Sequence, residues 1–332
     1  MLNDKTRISV IGSGSWATAL AKLLLNNRNE IGWFVRNEAT VDYLKEFKRN
    51  PNYLREVEFD TSRIHFYTDI NQAVEESELL VLAVPAAFIH DLFQPLSVDL
   101  SGKAIISGVK GMIAQRDLIV ADYLAQDFHV PYSMLGVIAG PCHAEEVALE
   151  RLSYLTIASG NEDLAAYFAT QLRCRYLDAS ISDDLIGTEY AAVLKNIFAL
   201  AAGISHGLGY GDNFQAVLIA NAIREIARFV AQVHPLTREV NGTAYLGDLL
   251  VTAYSKFSRN RTFGTMIGKG YSVNATQFEM NMVAEGYYAV KSIFELNQKF
   301  QVFMPITDAV YHILYRRASA RDEFKKLSQL LD

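Results

Sequence analysis

Arg7–Leu25, RISVIGSGSWATALAKLLL, is the stretch on which the fold turns. Ile8, Val10 and Ile11 make a short β-branched run, and Gly12-Ser13-Gly14-Ser15-Trp16-Ala17 opens a segment that is apolar at helical spacing through Ala21, Leu24 and Leu25. The order is strand, tight glycine turn, helix. Gly12 permits the sharp turn, Gly14 lets the backbone approach a pyrophosphate, and small Ala17 allows close packing of helix on strand. The helix N-terminus adds N–H groups for the anion. This is a dinucleotide fingerprint of the G-x-G-x-x-A form, and its place directly after a strand and before a helix gives the motif its meaning.

Working outward, Ile31–Val35 reads as a second strand that ends at Arg36-Asn37, where a doubly wound fold places the adenosine ribose. An acidic residue there would favour NAD by accepting from the ribose hydroxyls. Arg36 offers instead a guanidinium that can pair with a 2′-phosphate, so the expected cofactor is NADP or NAD: NADPH is compatible with this position and NADH stays open. A solvated arginine following a strand is the alternative.

Further strands are expected at Ile64–Thr68, Leu79–Val84, Ala104–Ser107, Met134–Ala139, Tyr154–Ala158 and Arg175–Ala179, with a helix over Glu162–Leu172. Several end in loops of small residues: Gly108-Val109-Lys110-Gly111 follows one, Gly140-Pro141-Cys142-His143-Ala144-Glu145 another. In open parallel sheets ligands bind at the carboxyl ends of strands, so these loops should line one cleft. Strands alternating with helices imply an α/β, doubly wound, Rossmann-like domain. From Ser182-Asp183-Asp184 onward the apolar residues follow helical spacing, which divides the chain into a dinucleotide-binding domain, 1–182, and a mainly α-helical substrate domain, 183–332.

Composition bounds the function. The 332 residues carry a net charge of −6, half are hydrophobic and a fifth charged, so the chain is an ordinary globular protein with no general attraction to nucleic acid or anionic membrane. An anion site must be a local cluster. Cys142 and Cys174 are too few for a disulfide framework and lie in no metal-ligand spacing. The seven histidines form no pair at ligand spacing, and no metal is expected. MLNDKTR lacks the apolar region of a signal peptide, and no apolar run reaches the ~18 residues of a membrane span. The expected compartment is the cytoplasm, with no nucleic-acid or membrane partner. Oligomeric state is left open, a homodimer being one expectation.

Lys195 and Asn196 sit in GTEYAAVLKNIFALAAGI, apolar on most of its circumference, so both should be partly buried. Desolvation lowers a lysine pKa and makes a general base. A lysine that carries its head out to water fits the pattern equally. Lys110, between Gly108 and Gly111, stands at a strand's carboxyl end or is a solvated loop charge. Ser258-Arg259-Asn260-Arg261, after Gly247-Asp248, is the compact basic cluster. Its charge and hydrogen bonds suit a phosphate. A solvated basic turn is the competing account. Glu285, after Asn281-Met282-Val283-Ala284, could accept from a ribose or amide.

Together these segments resemble the bacterial soluble NAD(P)-dependent glycerol-3-phosphate dehydrogenases. GSGSWATALA, SGVKG, GPCHAEE, LKNIFALAAGI, GLGYGDN, YLGDLLVTAYSKFSRNRTFG and VAEG occur in the family's order through nearly the whole chain. The resemblance implies reversible hydride transfer between NAD(P)H and dihydroxyacetone phosphate to give sn-glycerol 3-phosphate, which supplies glycerophospholipid synthesis. It implies Lys195 as the catalytic base. Lys110, Gly140, Cys142, Asp248, Ser258, Arg259 and Asn260 fall at substrate positions. Ser15, Trp16, Arg36, Lys110, Ala144, Arg259, Val283 and Glu285 join Gly12 and Gly14 at cofactor positions.

The chain departs from the family pattern in places. Cys142 stands where serine is usual, Ala220-Asn221-Ala222 replaces a T-R-G run, and HPLTREVNGTAYLGDL differs from the usual approach to the aspartate. Two other functions share the architecture: a ketopantoate or 6-phosphogluconate type dehydrogenase, and a non-catalytic NADP-sensing protein that would have no use for Lys195, Lys110 and Asp248.

Overall fold

The computed structural model describes residues 2–280 and 284–332. Short runs of four to six residues become the strands of one sheet: β1 (Ile8–Ile11), β2 (Ile31–Phe34), β3 (Ile64–Tyr67), β4 (Leu79–Leu82), β5 (Ala104–Ser107), β6 (Leu135–Ala139), β7 (Ser153–Ala158) and β8 (Leu177–Ser182). Their order is β3-β2-β1-β4-β5-β6-β7-β8. Strands β1, β2, β4 and β5 are buried along their whole length, which continuous apolar sequence permits only where both sheet faces are covered. Pairing is parallel from β3 across to β6, with Val10 opposite Trp33 and Val81, and β7 and β8 pair in parallel with each other. The exception is β6 against β7, which run antiparallel. After β6 the chain turns back through Gly140, φ +109°, where a Cβ would stand 3.0 Å from the Tyr154 carbonyl oxygen. No side chain fits there, and the glycine lets the returning strand lie close.

Helices α1 (Ser15–Asn27), α2 (Glu38–Phe47), α3 (Ile70–Glu75), α4 (Ile89–Phe93), α5 (Val120–Asp127), α6 (Ala144–Ala148) and α7 (Glu162–Leu172) connect the strands. The buried face of α1 (Ala17, Leu20, Ala21, Leu24) joins Val10, Trp33, Val81 and Ile106 of the sheet in one apolar core. Local capping fixes the helix starts. Asn37, directly after Arg36, accepts from Thr40 N, and Asn161 accepts from Leu164 N.

Among the described residues from Leu185 onward the regular structure is helical: α8 (Leu185–Gly207), α9 (Asp212–Val233), α10 (Asp248–Tyr254), α11 (Arg259–Gly268), α12 (Val273–Glu279), α13 (Glu285–Phe300), α14 (Pro305–Tyr315) and α15 (Ala320–Leu327). Two compact units result. One comprises residues 1–109 and 120–185, the other residues 110–119 and 186–332. The short excursion Lys110–Ile119 therefore groups with the helices, although it follows β5 in sequence; Asp117 there accepts from Ser292 Oγ of α13 at 2.7 Å. Helix α8 is long and apolar enough to cross a membrane by length and composition, but 94% of its apolar window is buried by the rest of the chain, as in the core helix of a globular unit.

Within the helical unit, α8 and α11 touch backbone to backbone. A Cβ on Gly203 would stand 2.1 Å from the Arg261 carbonyl oxygen, and one on Gly264 would stand 2.1 Å from that of Leu200. Elsewhere Glu225 of α9, fully buried, accepts from Ile306 N at 2.6 Å and from Thr307 N and Oγ1. It closes the N-terminus of α14, whose first residue, Pro305, has no N–H to satisfy.

Candidate functional site

In the helical unit the structure brings together three of the charged residues singled out in the sequence. Lys195 lies at the middle of α8, which is apolar all round, and is only 4% exposed. Its ammonium meets a partner inside the unit instead of reaching water: Nζ donates to Oδ1 of Asp248, itself 1% exposed. Asp248 begins α10 directly after a turn of π-helix at Thr243–Gly247, and Thr252 Oγ1 donates to its main-chain carbonyl at 2.6 Å. Lys110 Nζ approaches the other carboxylate oxygen, Oδ2, at 3.5 Å. The backbone of Lys110 is held by Asn196, whose Nδ2 donates to the Lys110 carbonyl at 2.7 Å.

Two cations thus share one buried carboxylate. Burial is the largest influence on Lys195 and pulls its pKa from 10.5 down to about 7; Asp248 opposes that shift and the Lys110 charge adds to it. A lysine so placed carries or releases a proton near neutrality, which is what a general acid and base requires.

The basic segment Ser258-Arg259-Asn260 forms the start of α11. Ser258 is the N-cap, its Oγ accepting from Arg261 N at 3.3 Å, and the hydroxyl keeps its own proton to donate. Asn260 is buried and its Oδ1 accepts from Gly286 N at 2.9 Å, which orients the amide and leaves Nδ2 as a donor. Gly286 sits so closely that a Cβ on it would stand 2.6 Å from the Asn196 carbonyl oxygen and 3.0 Å from Asn260 Oδ1. One glycine therefore abuts both the residue after Lys195 and the basic segment. Glu285, at the start of α13, precedes it directly. Val283 lies outside the described residues.

In the sheet unit the proposed cofactor residues share one end of the parallel strands. Gly12 follows β1 with φ +125°, and a Cβ there would stand 2.7 Å from the Ala83 carbonyl oxygen. Gly14 is the N-cap of α1 with no side chain to cap it, and a Cβ on it would meet nothing within 4 Å. Ser15 and Trp16 form the first turn of α1. The Trp16 indole packs against Gly108 at the end of β5, where a Cβ would stand 2.6 Å from Nε1. Arg36 is exposed beyond β2. Gly140, Cys142 and Ala144 follow β6, with Cys142 and Ala144 buried and neither cysteine in a disulfide. An uncapped helix start beside an open glycine fits the diphosphate of a dinucleotide.

Sequence reasoning passed over Thr252, the carbonyl grip of Asn196, and the side chains that hold the glycine turn. Asn196, Trp33 and Asn50 act through partners distant in sequence, and Thr252 and Thr18 make the i to i−4 side-chain bonds that any helical threonine can make, so none carries a motif.

Comparison with known proteins shows the family. Residues 7–165 match the family description "NAD-dependent glycerol-3-phosphate dehydrogenase N-terminus", and residues 184–325 match the C-terminus of the same family. The chain is 35% identical to glycerol-3-phosphate dehydrogenase [NAD(P)+] of Bacillus pumilus, over 97% of its own length and 93% of the relative's. It is 34% identical to the protein of that name from Clostridium botulinum strain Eklund 17B, over 94% of each chain. The crystal structure of glycerol-3-phosphate dehydrogenase from Coxiella burnetii superposes with a TM-score of 0.89 at 29% identity, covering 98% of this chain and 99% of the other.

Proposed function

This chain belongs to the NAD-dependent glycerol-3-phosphate dehydrogenase family, and from that premise we propose how its residues divide the work of its reaction. The reaction is the reversible NAD(P)-dependent reduction of dihydroxyacetone phosphate to sn-glycerol 3-phosphate. Bound nicotinamide dinucleotide supplies the hydride. Everything else falls to the protein: holding the dinucleotide, gripping the phosphate, and giving the carbonyl oxygen a proton as it becomes an alcohol.

Lys195 gives that proton. Its ammonium is fixed by Asp248 and brought near neutral pKa by burial, so transfer to a forming alkoxide is downhill and return from a solvent-linked donor is not steeply uphill. Once Lys195 is neutral, Lys110 remains as counter-charge to Asp248, so no buried carboxylate is left alone. In the reverse direction neutral Lys195 accepts the alcohol proton. Ser258, Arg259, Asn260 and the first N–H groups of α11 hold the phosphate at the other end of the substrate, with Gly140 and Cys142 completing the substrate loop. Binding energy taken up at the phosphate then positions the carbonyl.

On the cofactor side, Gly12, Gly14, Ser15 and Trp16 receive the diphosphate, Arg36 the adenosine ribose end, and Lys110, Ala144, Arg259, Val283 and Glu285 the remainder. Residues 1–182 serve as the dinucleotide domain and 183–332 as the substrate domain, with Lys110–Ile119, which groups with the helices, excepted from the first. A cytosolic location belongs to this reading and is supported by cysteines outside any disulfide. Homodimerisation belongs to it too and is checked by sedimentation velocity.

The observation that carries the proposal is the buried Lys195–Asp248 pair with Lys110 beside it, which binding of a dinucleotide alone would not need. NADPH oxidation followed with and without dihydroxyacetone phosphate tests it. Oxidation that depends on the ketone is expected; binding without turnover would mark a sensor.

A further inference from the structure

Three successive carbonyls of the glycine turn are tied back into the sheet unit by side chains. Trp33 Nε1 donates to Gly12 O at 2.7 Å, Asn50 Nδ2 to Ser13 O at 3.0 Å, and Thr18 Oγ1 to Gly14 O at 2.9 Å. The three donors come from β2, from the segment after α2, and from α1. All are buried: Trp33 and Thr18 are 0% exposed and Asn50 is 1% exposed. They are also linked, since Asn50 Nδ2 donates to Thr18 Oγ1 at 2.9 Å.

Asn50 has no spare capacity. Its amide nitrogen holds Ser13 and Thr18, and its Oδ1 accepts from Asn52 N at 3.0 Å and Tyr53 N at 3.2 Å. The amide therefore has one orientation. It is neutral, so it braces the turn without adding negative charge beside an anion. Trp33 is equally fixed, its ring packed against Phe59 and Phe66 with centroids 5.2 and 6.0 Å away.

The consequence follows from the planar trans peptide, in which the C=O of one residue and the N–H of the next point in opposite directions. None of the peptides here is cis. Anchoring the carbonyls of Gly12, Ser13 and Gly14 turns the N–H groups of Ser13, Gly14 and Ser15 away from the anchors. Among the described residues no hydrogen bond engages those three N–H groups. A row of aligned, unengaged donors at a helix start is a concave anion receptor. The Gly14 carbonyl is held in addition by Thr18 N at 2.9 Å. Without the side-chain anchors the planes before it would be freer to rotate, and binding an anion would have to order them first.

We infer that Trp33, Asn50 and Thr18 are positioning residues for the cofactor, a harness on the carbonyl side of the turn that pre-aims its N–H groups at the diphosphate. This rests on the reading of the turn as the dinucleotide site. Its bonds end on the turn carbonyls, so it acts through the turn.

The probe is ADP-ribose, which carries the diphosphate without the nicotinamide, titrated into the full chain by calorimetry. Thr18→Val is nearly isosteric; it deletes the side-chain bond to Gly14 O and the acceptor for Asn50, while the main-chain N–H at position 18 still reaches that carbonyl. It should raise the ADP-ribose dissociation constant about 10-fold, the factor for one or two hydrogen bonds. Thr18→Ser restores the hydroxyl and should bind within about 3-fold of wild type. Should Thr18→Val fail to fold, as judged by its melting curve without ligand, Trp33→Phe removes the donor to Gly12 O while keeping a ring in the core, and should weaken ADP-ribose in the same way. Wild-type affinity in the folded variant overturns the harness and leaves the cofactor reading standing. Equal weakening by Val and Ser also overturns it, since shape and not the hydrogen bond would then matter. Failure of the wild-type chain to bind ADP-ribose overturns the cofactor reading itself.

Discussion

Lys195 and Asp248, 53 residues apart in the chain, form a buried ion pair whose lysine sits near its neutral point. Burial and attraction pull that lysine in opposite directions, and burial wins. Reduction needs protonated Lys195 and oxidation needs the neutral form. The reduction rate should therefore fall as pH rises through about 7, and the oxidation rate should climb over the same interval. Asp248→Asn removes the charge that holds the lysine pKa up, so both transitions should move to lower pH by about one unit or more. Profiles of kcat in both directions check this; an unmoved transition would detach Asp248 from Lys195. Stability carries the same signature. Between about 7 and 10.5 the unfolded chain holds the extra proton, so this group's contribution to stability rises with pH across that window.

Arg259→Ala tests the phosphate grip. It should reduce kcat/KM for dihydroxyacetone phosphate by ~10² or more, through lost orientation as well as affinity. Unphosphorylated dihydroxyacetone gives the segment nothing to hold, and its poor turnover should change much less. Equal slowing of both ketones would assign Arg259 to the cofactor or the fold.

Arg36→Ala addresses cofactor choice. Arg36 is exposed just beyond β2, and the proposed reading assigns its guanidinium to a 2′-phosphate. The substitution should weaken NADPH by about 1–3 kcal/mol, as for charge-assisted hydrogen bonds, and spare NADH. Equal losses, measured by fluorescence titration, would show that Arg36 reads no phosphate.

Gly203→Ala probes the frame that sets α8 beside α11. The new Cβ would stand 2.1 Å from a backbone oxygen, which a side-chain rotation cannot relieve. The helices must part, at a cost of about 1–3 kcal/mol in denaturant unfolding. Wild-type stability with unchanged activity would mean the crossing is not held by that contact.

Much of this was legible beforehand because the informative patterns are local. The strand, glycine turn and helix of Arg7–Leu25 are settled by neighbours within a few residues, and Glu162–Leu172 is helical to the residues its spacing gave. Strand ends slipped where polar residues continue a ladder: β8 runs Leu177–Ser182, because its outer side faces solvent and shows no apolar signal. Lys195 was open between burial and exposure until Asp248 supplied a partner from another helix. Asn50, Trp33 and Glu225 were invisible as functional or capping groups for the same reason. Their partners, Ser13, Gly12 and the start of α14, lie far along the chain, and hydrogen bonds of that kind leave no period in a sequence.

The central claim is that Lys195 moves the proton. Lys195→Met keeps an apolar side chain of similar length in the core and removes the proton. The measurement is single-turnover NADPH oxidation by dihydroxyacetone phosphate, paired with the NADPH dissociation constant of the same preparation. The account predicts a rate lower by ~10² or more with cofactor affinity nearly unchanged. Turnover close to wild type would contradict it and remove Lys195 from the chemistry.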